Sequence, residues 1–465
     1  MQNTITYSLS KNANLNYVAT IVKVDTFIDH PSADRLKLAV VNGYTISVSI
    51  DTEPGVFIYF PLESKLSDNF LSKNNLYRQS LNKNIDPEQS GFFELSGRVK
   101  CVKLRGVYSE GFIIPPTALS IYGEIGELVP GTKFDTITVD GVSELLCQKY
   151  VIQTNTSYRS GSKEKSTRKY DEVIVPNQFR FHPDTPKLKD CLSQINPDDY
   201  IHISYKVHGT SAIFCNLLVN KELRWWEKLL LECGLDLNTS EYKTFCASRK
   251  VVKDPDLNKG QINNYYDFDI WNAALEVVRP CLTNGMTIYA EIAGYLPSGK
   301  YIQKGYDYGC VFTDTKVKNE NGELAPLVDY YKYTPTEMYK RNLFKIFVYR
   351  ITQTSADGFV TEMSATDVQQ YCKSHGLVPV PELWYGKVSE FIKNPDNWQF
   401  DFIQNLSTQY LEKDCTMCKN KVPAEGVVIR TMKPKFEAFK LKSQRFNERE
   451  SKELDSGETN IEDNQ

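Results

Sequence analysis

Short runs of alternating apolar and polar residues fill the first third of the chain and predict β-strands. The runs cover residues 17–24, 36–41, 44–50, 56–60 and 98–106. The pair Asn42-Gly43, between the second and third runs, is typical of a two-residue hairpin turn. Short strands at this spacing favour a small barrel, which we assign to residues 1–150.

The run from Arg98 to Arg105 alternates basic and apolar residues. Basic side chains on one face of a strand can follow a nucleic-acid backbone. We therefore expect this strand to contact nucleic acid. The alternative is an ordinary solvated face.

A polar and basic segment at residues 151–170 contains almost no apolar residues and predicts a linker. The second domain, residues 171–445, mixes strand and helix patterns. Its clearest patterns are the strands Met286–Ile292 and Leu343–Ile351 and the helix Leu223–Glu232. The insertion at residues 310–343 suggests no role.

The last twenty residues, 446–465, are polar and mostly acidic. Such a composition buries too little apolar surface to offset the entropy of ordering the chain. We therefore expect a disordered tail.

The composition is that of an ordinary globular protein, with 41% apolar and 24% charged residues among 465. The net charge of −3 gives no overall attraction to nucleic acid, so such binding must come from local patches. No run of 18 apolar residues predicts a membrane span, and the N-terminus lacks a signal pattern. We expect a cytoplasmic protein, or one in the cytoplasm of a host cell if it is viral, with no membrane partner.

Eleven cysteines are scattered without the spacing of a disulfide framework, which is typical of a reducing compartment. Cys415 and Cys418 form one CxxC, and no second CxxC or HxxxH lies near it. Both readings remain open for this pair: small buried side chains, or part of a zinc site.

One short segment carries the strongest chemical signal in the chain. Residues 206–211 read KVHGTS, and the six residues before Lys206 alternate like a strand. Lys206 therefore lies where a strand enters a turn, and Gly209 would let the backbone approach a ligand closely. A lysine in that position can attack phosphorus once its amine is neutral. The alternative is a surface lysine before an ordinary turn.

Four later segments add charged residues near strand ends, namely Arg249, Glu291, Glu425, Lys440 and Lys442. The last two are two positions apart, so they share one face of a strand. Cations can hold the phosphates of a nucleoside triphosphate, and carboxylates can bind ribose hydroxyls or a metal ion. Neighbouring cations also favour the neutral form of an attacking lysine. Taken singly, each carboxylate also fits a solvated strand end, and the lysine pair fits an edge strand.

Six segments of the chain resemble motifs I, Ia, III, IIIa, IV and V of the covalent nucleotidyltransferases. In chain order they are KVHGTS, SRK, AEIAG, FVYRI, EGVVIR and FKLKS. His208, where many relatives have Asp, resembles the RNA ligase 2-like branch, as does the segment at residues 301–309. Residues 30–36 resemble a tRNA-binding-type OB fold. An OB module ahead of the catalytic domain is similar to the Deinococcus-type nick-sealing RNA ligases.

This resemblance covers most of residues 15–445. It implies an α+β protein in which an N-terminal OB-type β-barrel precedes a nucleotidyltransferase domain of antiparallel sheets flanked by helices. It also implies that Lys206 forms a lysyl-AMP bond with ATP, that Glu425 supports Mg²⁺ or Mn²⁺, and that His208 acts in later steps. The other matches would bind the nucleotide: the Val207 backbone and the Tyr349 ring at adenine, Arg249 and Glu291 at ribose, and Lys440 and Lys442 at the α-phosphate. Arg350 stands where many relatives have Asp, so we draw no role from it.

The implied function is ATP-dependent sealing of 3′-OH/5′-phosphate breaks in nicked duplex RNA or RNA–DNA hybrid, by a monomer. One alternative is an mRNA capping guanylyltransferase or a DNA ligase, and another is a tRNA-binding protein with an inactive nucleotidyltransferase domain. Capping enzymes and DNA ligases carry an OB domain after motif V. Here 23 mostly polar and acidic residues follow Lys442, which favours the RNA ligase branch.

Overall fold

The computed structural model describes residues 4–152, 173–254, 266–313, 316–318, 324–326 and 329–456. Nearly all of the expected linker at residues 151–170 lies outside these ranges, as does the end of the expected tail from residue 457. Within the described ranges, no helix is long and apolar enough to cross a membrane.

The N-terminal part consists mainly of short strands. They are β1 Thr6–Ser8, β2 Ala19–Val24, β3 Ile28–Asp29, β4 Leu36–Val41, β5 Tyr44–Ser49, β6 Gly55–Phe60, β7 Ser64–Leu66, β8 Cys101–Leu104, β9 Val107–Glu110, β10 Phe112–Ile114, β11 Lys133–Phe134, β12 Thr136–Val139, β13 Val142–Leu145 and β14 Cys147–Lys149. The helix α1, Asp68–Lys73, begins after Ser67, whose side chain accepts a hydrogen bond from the backbone N–H of Phe70.

These strands pair in the orders β10-β6-β2-β11, β1-β12-β13, β3-β4-β5, β8-β9 and β7-β14. The predicted hairpin is confirmed between β4 and β5. Asn42 and Gly43 have φ angles of 50° and 80°, as a turn with two left-handed residues requires. Among the described strands no sheet closes on itself, so the OB-type barrel stays a prediction.

The second part contains longer strands and further helices. The strands are β15 Tyr200–Lys206, β16 Thr210–Asn220, β17 Ser240–Ala247, β18 Met286–Gly294, β19 Lys316–Lys318, β20 Leu324–Pro326, β21 Phe344–Thr354, β22 Val360–Glu362, β23 Val378–Pro379, β24 Glu382–Lys387, β25 Gly426–Thr431 and β26 Ala438–Lys442. The helices are α2 Trp225–Glu232, α3 Ile270–Val278, α4 Pro335–Lys340, α5 Ala365–His375, α6 Val388–Phe391, α7 Trp398–Leu406 and α8 Gln444–Asp455. The predicted strands at residues 286 and 343 are thus confirmed as β18 and β21, and the predicted helix at residue 223 as α2.

Two mainly antiparallel sheets determine where the charged residues lie. The first sheet has the order β24-β15-β25-β26, and the second has the order β17-β16-β18-β21-β22, with β23 parallel to β21. Because β15 ends at Lys206 and β16 begins at Thr210, the segment KVHG carries the chain from one sheet to the other. The residues singled out in the sequence therefore lie at the junction of two sheets.

The apolar residues buried on the outer face of the first sheet show which of its side chains lie on the inner face. Ile201 and Ile203 of β15 share a core with Phe402 and Leu406 of α7, and all four are fully buried. Successive side chains of a strand point to opposite faces. His202, Ser204 and Lys206 therefore face the second sheet.

The expected disordered tail is wrong for residues up to 455, which form α8. The Ser443 side chain caps this helix by accepting a hydrogen bond from the backbone N–H of Phe446 at 3.0 Å. Phe446 is only 2% exposed, so one large apolar residue anchors the segment. Acidic composition misled the prediction because two acidic side chains of α8, Glu450 and Asp455, pair with basic residues elsewhere in the fold.

The basic run that begins at Arg98 supplies two of these partners. The Arg98 side chain is 1% exposed and lies 3.1 Å from Glu63 and 2.5 Å from Asp455. It also donates to the carbonyl oxygen of Ser451 at 2.8 Å. Lys100 pairs with Asp455 at 2.8 Å. The predicted nucleic-acid contact is therefore wrong for Arg98 and Lys100, which hold α8 against the N-terminal part.

Candidate active site

Three rows of side chains cross the inner face of the first sheet, because the pairing register of β15, β25 and β26 aligns them. The rows are Lys206–Gly426–Lys442, Ser204–Val428–Lys440 and His202–Arg430–Ala438. Neighbouring rows are two residues apart, or about 7 Å. The predicted shared face of Lys440 and Lys442 is confirmed, because Leu441 between them is buried in the core on the other side.

Lys206, at the end of the first row, forms a largely buried ion pair. Its Nζ lies 2.6 Å from Oε1 of Glu425, the residue just before β25. The Glu425 side chain is 2% exposed, and its Oε2 lies 3.7 Å from Nδ1 of His208. Among the described residues Oε2 has no hydrogen-bond partner. One oxygen of this carboxylate therefore pairs with Lys206, and the other could bind a second cation.

The second sheet supplies the opposite wall. Glu291 of β18 lies directly across from Ser211 of β16, and Tyr349 comes from the adjoining strand β21. Burial, and then the charge of Glu291, raise the pKa of the Tyr349 hydroxyl above its ordinary value, so the ring is neutral at physiological pH. This wall therefore presents a carboxylate and a neutral aromatic ring to the first sheet.

A pocket between the two sheets brings most of the predicted residues together. Six of the nine line it: Lys206, Val207, Arg249, Glu291, Tyr349 and Lys440. Arg249 is ion-paired with Asp184. Although burial opposes the effect, Arg249 holds the pKa of the Asp184 carboxyl below its ordinary value.

The other three predicted residues, Glu425, His208 and Lys442, are not among the residues that line this pocket. Lys442 donates to both carboxylate oxygens of Glu450 on α8, at 2.8 and 3.1 Å. His208 is 8% exposed, and its ring lies 4.9 Å from the rings of Tyr306 and Phe446, centroid to centroid. Helix α8 therefore packs against two of the predicted catalytic residues.

Gly209 is required for a reason other than the one its sequence context suggests. A Cβ atom there would overlap the carbonyl oxygen of Ile292 and lie 2.8 Å from Cγ of Glu291. The close approach that needs glycine is therefore to β18 and not to a ligand. Its consequence for the site is that KVHG lies directly against the strand that carries Glu291.

Sequence reasoning missed a second group of pocket residues. His182 packs against the Tyr349 ring at 5.2 Å between centroids, and its Nδ1 lies 3.1 Å from a guanidinium nitrogen of Arg350. Burial and then Arg350 lower the pKa of His182 to about 3, so it is neutral at pH 7. Arg350 itself pairs with Glu362 at 3.0 Å and lies over the Phe436 ring at 4.2 Å. The only signal in the sequence was the aromatic run FRFHP at residues 179–183.

The two cysteines of the CxxC lie in the loop before Glu425. A hydrogen bond from Cys418 lowers the pKa of the Cys415 thiol to about 7, although burial opposes this shift. In the part of the chain that the structure describes, no group of three or more His, Cys, Asp or Glu could hold a metal ion. We find no additional zinc ligand for the pair there.

The arrangement is suited to a ligand with an anionic end and a flat end. Lys206 and Lys440 lie in adjoining rows of the first sheet, whereas Val428 and the Tyr349 ring offer apolar surfaces to a planar group. Glu291 and Arg249 lie in the same pocket and can bind hydroxyl groups. A nucleotide has all three kinds of chemical group.

No protein-family model matches the sequence, and no curated protein matches it. Solved structures with a similar fold include mutants of an RNA ligase from Naegleria gruberi. One with AMP and Mn is 14% identical and has a TM-score of 0.51, and a second with AMP and Mn is 15% identical with the same score. A third, with ATP and Mn, is 14% identical with a TM-score of 0.50. In each case the alignment covers 93% of this chain and 98% of the other, so the similarity extends over both parts of the fold.

Proposed function

We propose that this protein is an ATP-dependent RNA ligase that seals 3′-OH/5′-phosphate breaks through lysyl-AMP and RNA-adenylate intermediates. One observation carries the proposal. Lys206, held by Glu425 at 2.6 Å, lines a pocket that also contains Arg249, Glu291 and Tyr349. The RNA ligase of similar fold, solved as mutants with ATP or AMP and Mn, supports the same assignment.

In the first step, Nζ of Lys206 attacks the α-phosphorus of ATP. A P–N bond forms, and the P–O bond to pyrophosphate breaks. An ammonium group has no lone pair, so the pair with Glu425 must open and the amine must lose a proton before attack. Lys440, one row away on the same face, can stabilise the negative charge that grows on the phosphates.

A divalent cation fits the chemistry of Glu425. Its Oε2 is buried and, in the described part of the chain, has no hydrogen-bond partner. Mg²⁺ and similar ions commonly bind one or two carboxylates, with phosphate oxygens and water completing their coordination. Bound there, the cation would offset the negative charge of the phosphates near Lys206.

Base and sugar would be held by the two walls of the pocket. Tyr349 and Val428 can take the base between them, because both offer apolar contact from opposite sheets. Glu291 and Arg249 can bind the ribose hydroxyls. These contacts fix the α-phosphorus relative to Lys206, and small errors in such positioning cost large factors in rate.

The later steps transfer AMP to a 5′-phosphate and then join that end to a 3′-OH. We assign His208 to these steps, acting next to Glu425. We expect the nucleotide at the 3′-OH end to be RNA, because its 2′-hydroxyl favours A-form geometry and offers a donor and acceptor that a protein can read. The substrate is accordingly a nicked RNA duplex, or a hybrid with RNA on the 3′-OH side.

Two measurements on the full chain test this function. Labelled ATP, but not labelled GTP, should leave a covalent label on the denatured protein. Nicked duplexes with RNA on the 3′-OH side should be sealed, whereas DNA on that side should stall the reaction after adenylate transfer. Label from GTP alone would indicate a capping enzyme. Equal sealing of both hybrids would indicate a general polynucleotide ligase, and no label from either nucleotide would indicate an inactive domain.

A further inference from the structure

The third row of the first sheet has no part in the steps described above. It consists of His202, Arg430 and Ala438, and it lies about two rows, or roughly 13 Å, from Lys206 along the strand. All three residues line the pocket. A nucleotide with its phosphate at Lys206 and its base beside Val428 therefore turns one edge of the base toward this row.

Arg430 lies over the Phe436 ring at 5.0 Å and carries one buried donor without a hydrogen-bond acceptor among the described residues. The residue is 8% exposed, and one guanidinium nitrogen donates to the carbonyl oxygen of Met363. The other terminal nitrogen is buried and, among the described residues, has no hydrogen-bond partner. A buried donor left unpaired costs free energy. An acceptor on a bound base would remove that cost.

His202, directly opposite Arg430 in the register, can act as an acceptor. Burial, and then the charge of Arg430, lower the pKa of His202 to about 4, so its ring is neutral at pH 7. Its Nε2 lies 3.1 Å from a carboxylate oxygen of Glu382. A carboxylate at that distance favours the tautomer with the proton on Nε2, although the contact is not a regular hydrogen bond. Nδ1 is then left as an acceptor.

A donor beside an acceptor matches adenine and not guanine. The amino group of adenine is a donor, and the ring nitrogens on both sides of it are acceptors. Guanine has an acceptor, O6, in the place of that amino group. The flanking nitrogen can pair with Arg430 and the amino group with His202. With guanine, O6 would face the lone pair on Nδ1 of His202. Turning the imidazole ring over would place that lone pair against the Glu382 carboxylate, which opposes the turn.

Resting on the proposed function, we propose that His202 and Arg430 select adenine over guanine by reading the edge of the base that carries the amino group. Arg430 donates to a ring nitrogen that flanks this amino group. His202 accepts from the amino group itself. These two residues are specificity determinants and make no contact with the reacting phosphate.

The test measures kcat/KM for covalent labelling of the full chain with ATP, GTP, 7-deaza-ATP and 1-deaza-ATP. Arg430→Met should lower kcat/KM for ATP by about 10-fold or more, mostly through KM, as expected for one lost base contact. The variant should lose nothing further with the deaza analogue that lacks the contacted nitrogen. Because an amide can turn to donate or accept, His202→Gln should raise the use of GTP relative to ATP by about 10-fold.

A matched control is Gln369→Met. Gln369 also lines the pocket, but its side-chain amide already donates to the carbonyl oxygen of Val380 at 2.9 Å. The ratio of ATP use to GTP use should not change in this variant. Thermal melting of each variant reports whether it is folded. If Arg430→Met does not fold, the result from His202→Gln decides the question.

Two results would overturn the inference. One is a loss of kcat/KM in Arg430→Met that multiplies with the losses caused by both deaza analogues, and the other is an unchanged ratio of GTP use to ATP use in His202→Gln. Both results count only if the unmodified protein is labelled by ATP. If the unmodified protein takes no label from any nucleotide, the proposed ligase function fails first, and the two failures are thereby distinguished.

Discussion

Replacing Arg98 with alanine should destabilise the second part of the fold, although Arg98 belongs to the first. Its guanidinium joins Glu63 of the N-terminal part to Asp455 and the Ser451 carbonyl of α8. Helix α8 in turn packs Phe446 against His208. The side chain of Arg98 thus connects the N-terminal strands to the candidate active site.

The size of the effect follows from burial. The Arg98 side chain is 1% exposed and that of Glu63 is 19% exposed, so Arg98→Ala leaves a largely buried carboxylate without its counterion. Breaking a buried pair in this way costs about 3–5 kcal/mol. Asp455 is 41% exposed, so solvent screens its share, which adds about 0–1 kcal/mol. We expect the free energy of unfolding to fall by about 3–6 kcal/mol in total.

Urea unfolding followed by tryptophan fluorescence is the appropriate assay. The five tryptophans are Trp225, Trp226, Trp271, Trp384 and Trp398, all in the second part of the chain. A transition seen by fluorescence therefore reports on that part. If Arg98 holds the two parts together, its loss should shift this transition to lower urea.

Arg78→Ala is the matched control. Arg78 lies in the same N-terminal part and pairs with Glu94 at 3.4 Å, but the two side chains are 57% and 44% exposed. Such a surface pair contributes about 0–1 kcal/mol. A fluorescence transition that moves no more in Arg98→Ala than in Arg78→Ala would refute the connection.

Three further predictions concern the site. Lys440→Ala and Lys442→Ala should each reduce covalent labelling by ATP by about 100-fold, and near-normal rates in a quench-flow assay would make the pair a surface feature. Because burial lowers the pKa of His182 to about 3, the unfolded chain binds the extra proton between about pH 6.5 and 3, and stability is lost as pH falls through that window. At pH 5 the loss is about 2 kcal/mol, and urea titrations of His182→Gln should lack it. Gly209→Ala should destabilise the fold by about 1–3 kcal/mol because its Cβ has no room beside β18, whereas Gly55→Ala, with nothing within 4 Å, should melt like the unmodified protein.

Local pattern was enough to predict the strands that carry the site. The strand before Lys206, the face shared by Lys440 and Lys442, and the order of the charged segments could all be read from alternation and spacing. Those features depend on residues within a few positions of each other. The strand period of two does not depend on where the strand lies in the fold.

Contacts between distant segments could not be read in this way. Arg98 pairs with a residue 357 positions later, and an acidic tail gives no sign of which basic residues it will meet. The same holds for His182, which lines the pocket and contacts Arg350, a residue 168 positions later in the chain. Gly209 was expected to approach a ligand, but its close neighbour is the strand β18, about 80 residues later in the chain.

The proposed function requires that Lys206 becomes covalently attached to AMP. The most direct measurement is to incubate the full chain with ATP and Mg²⁺, digest it, and locate the AMP adduct by mass spectrometry. We expect a single adduct on Lys206 and none in Lys206→Ala. An adduct on another residue, or one of undiminished yield in Lys206→Ala, would contradict it.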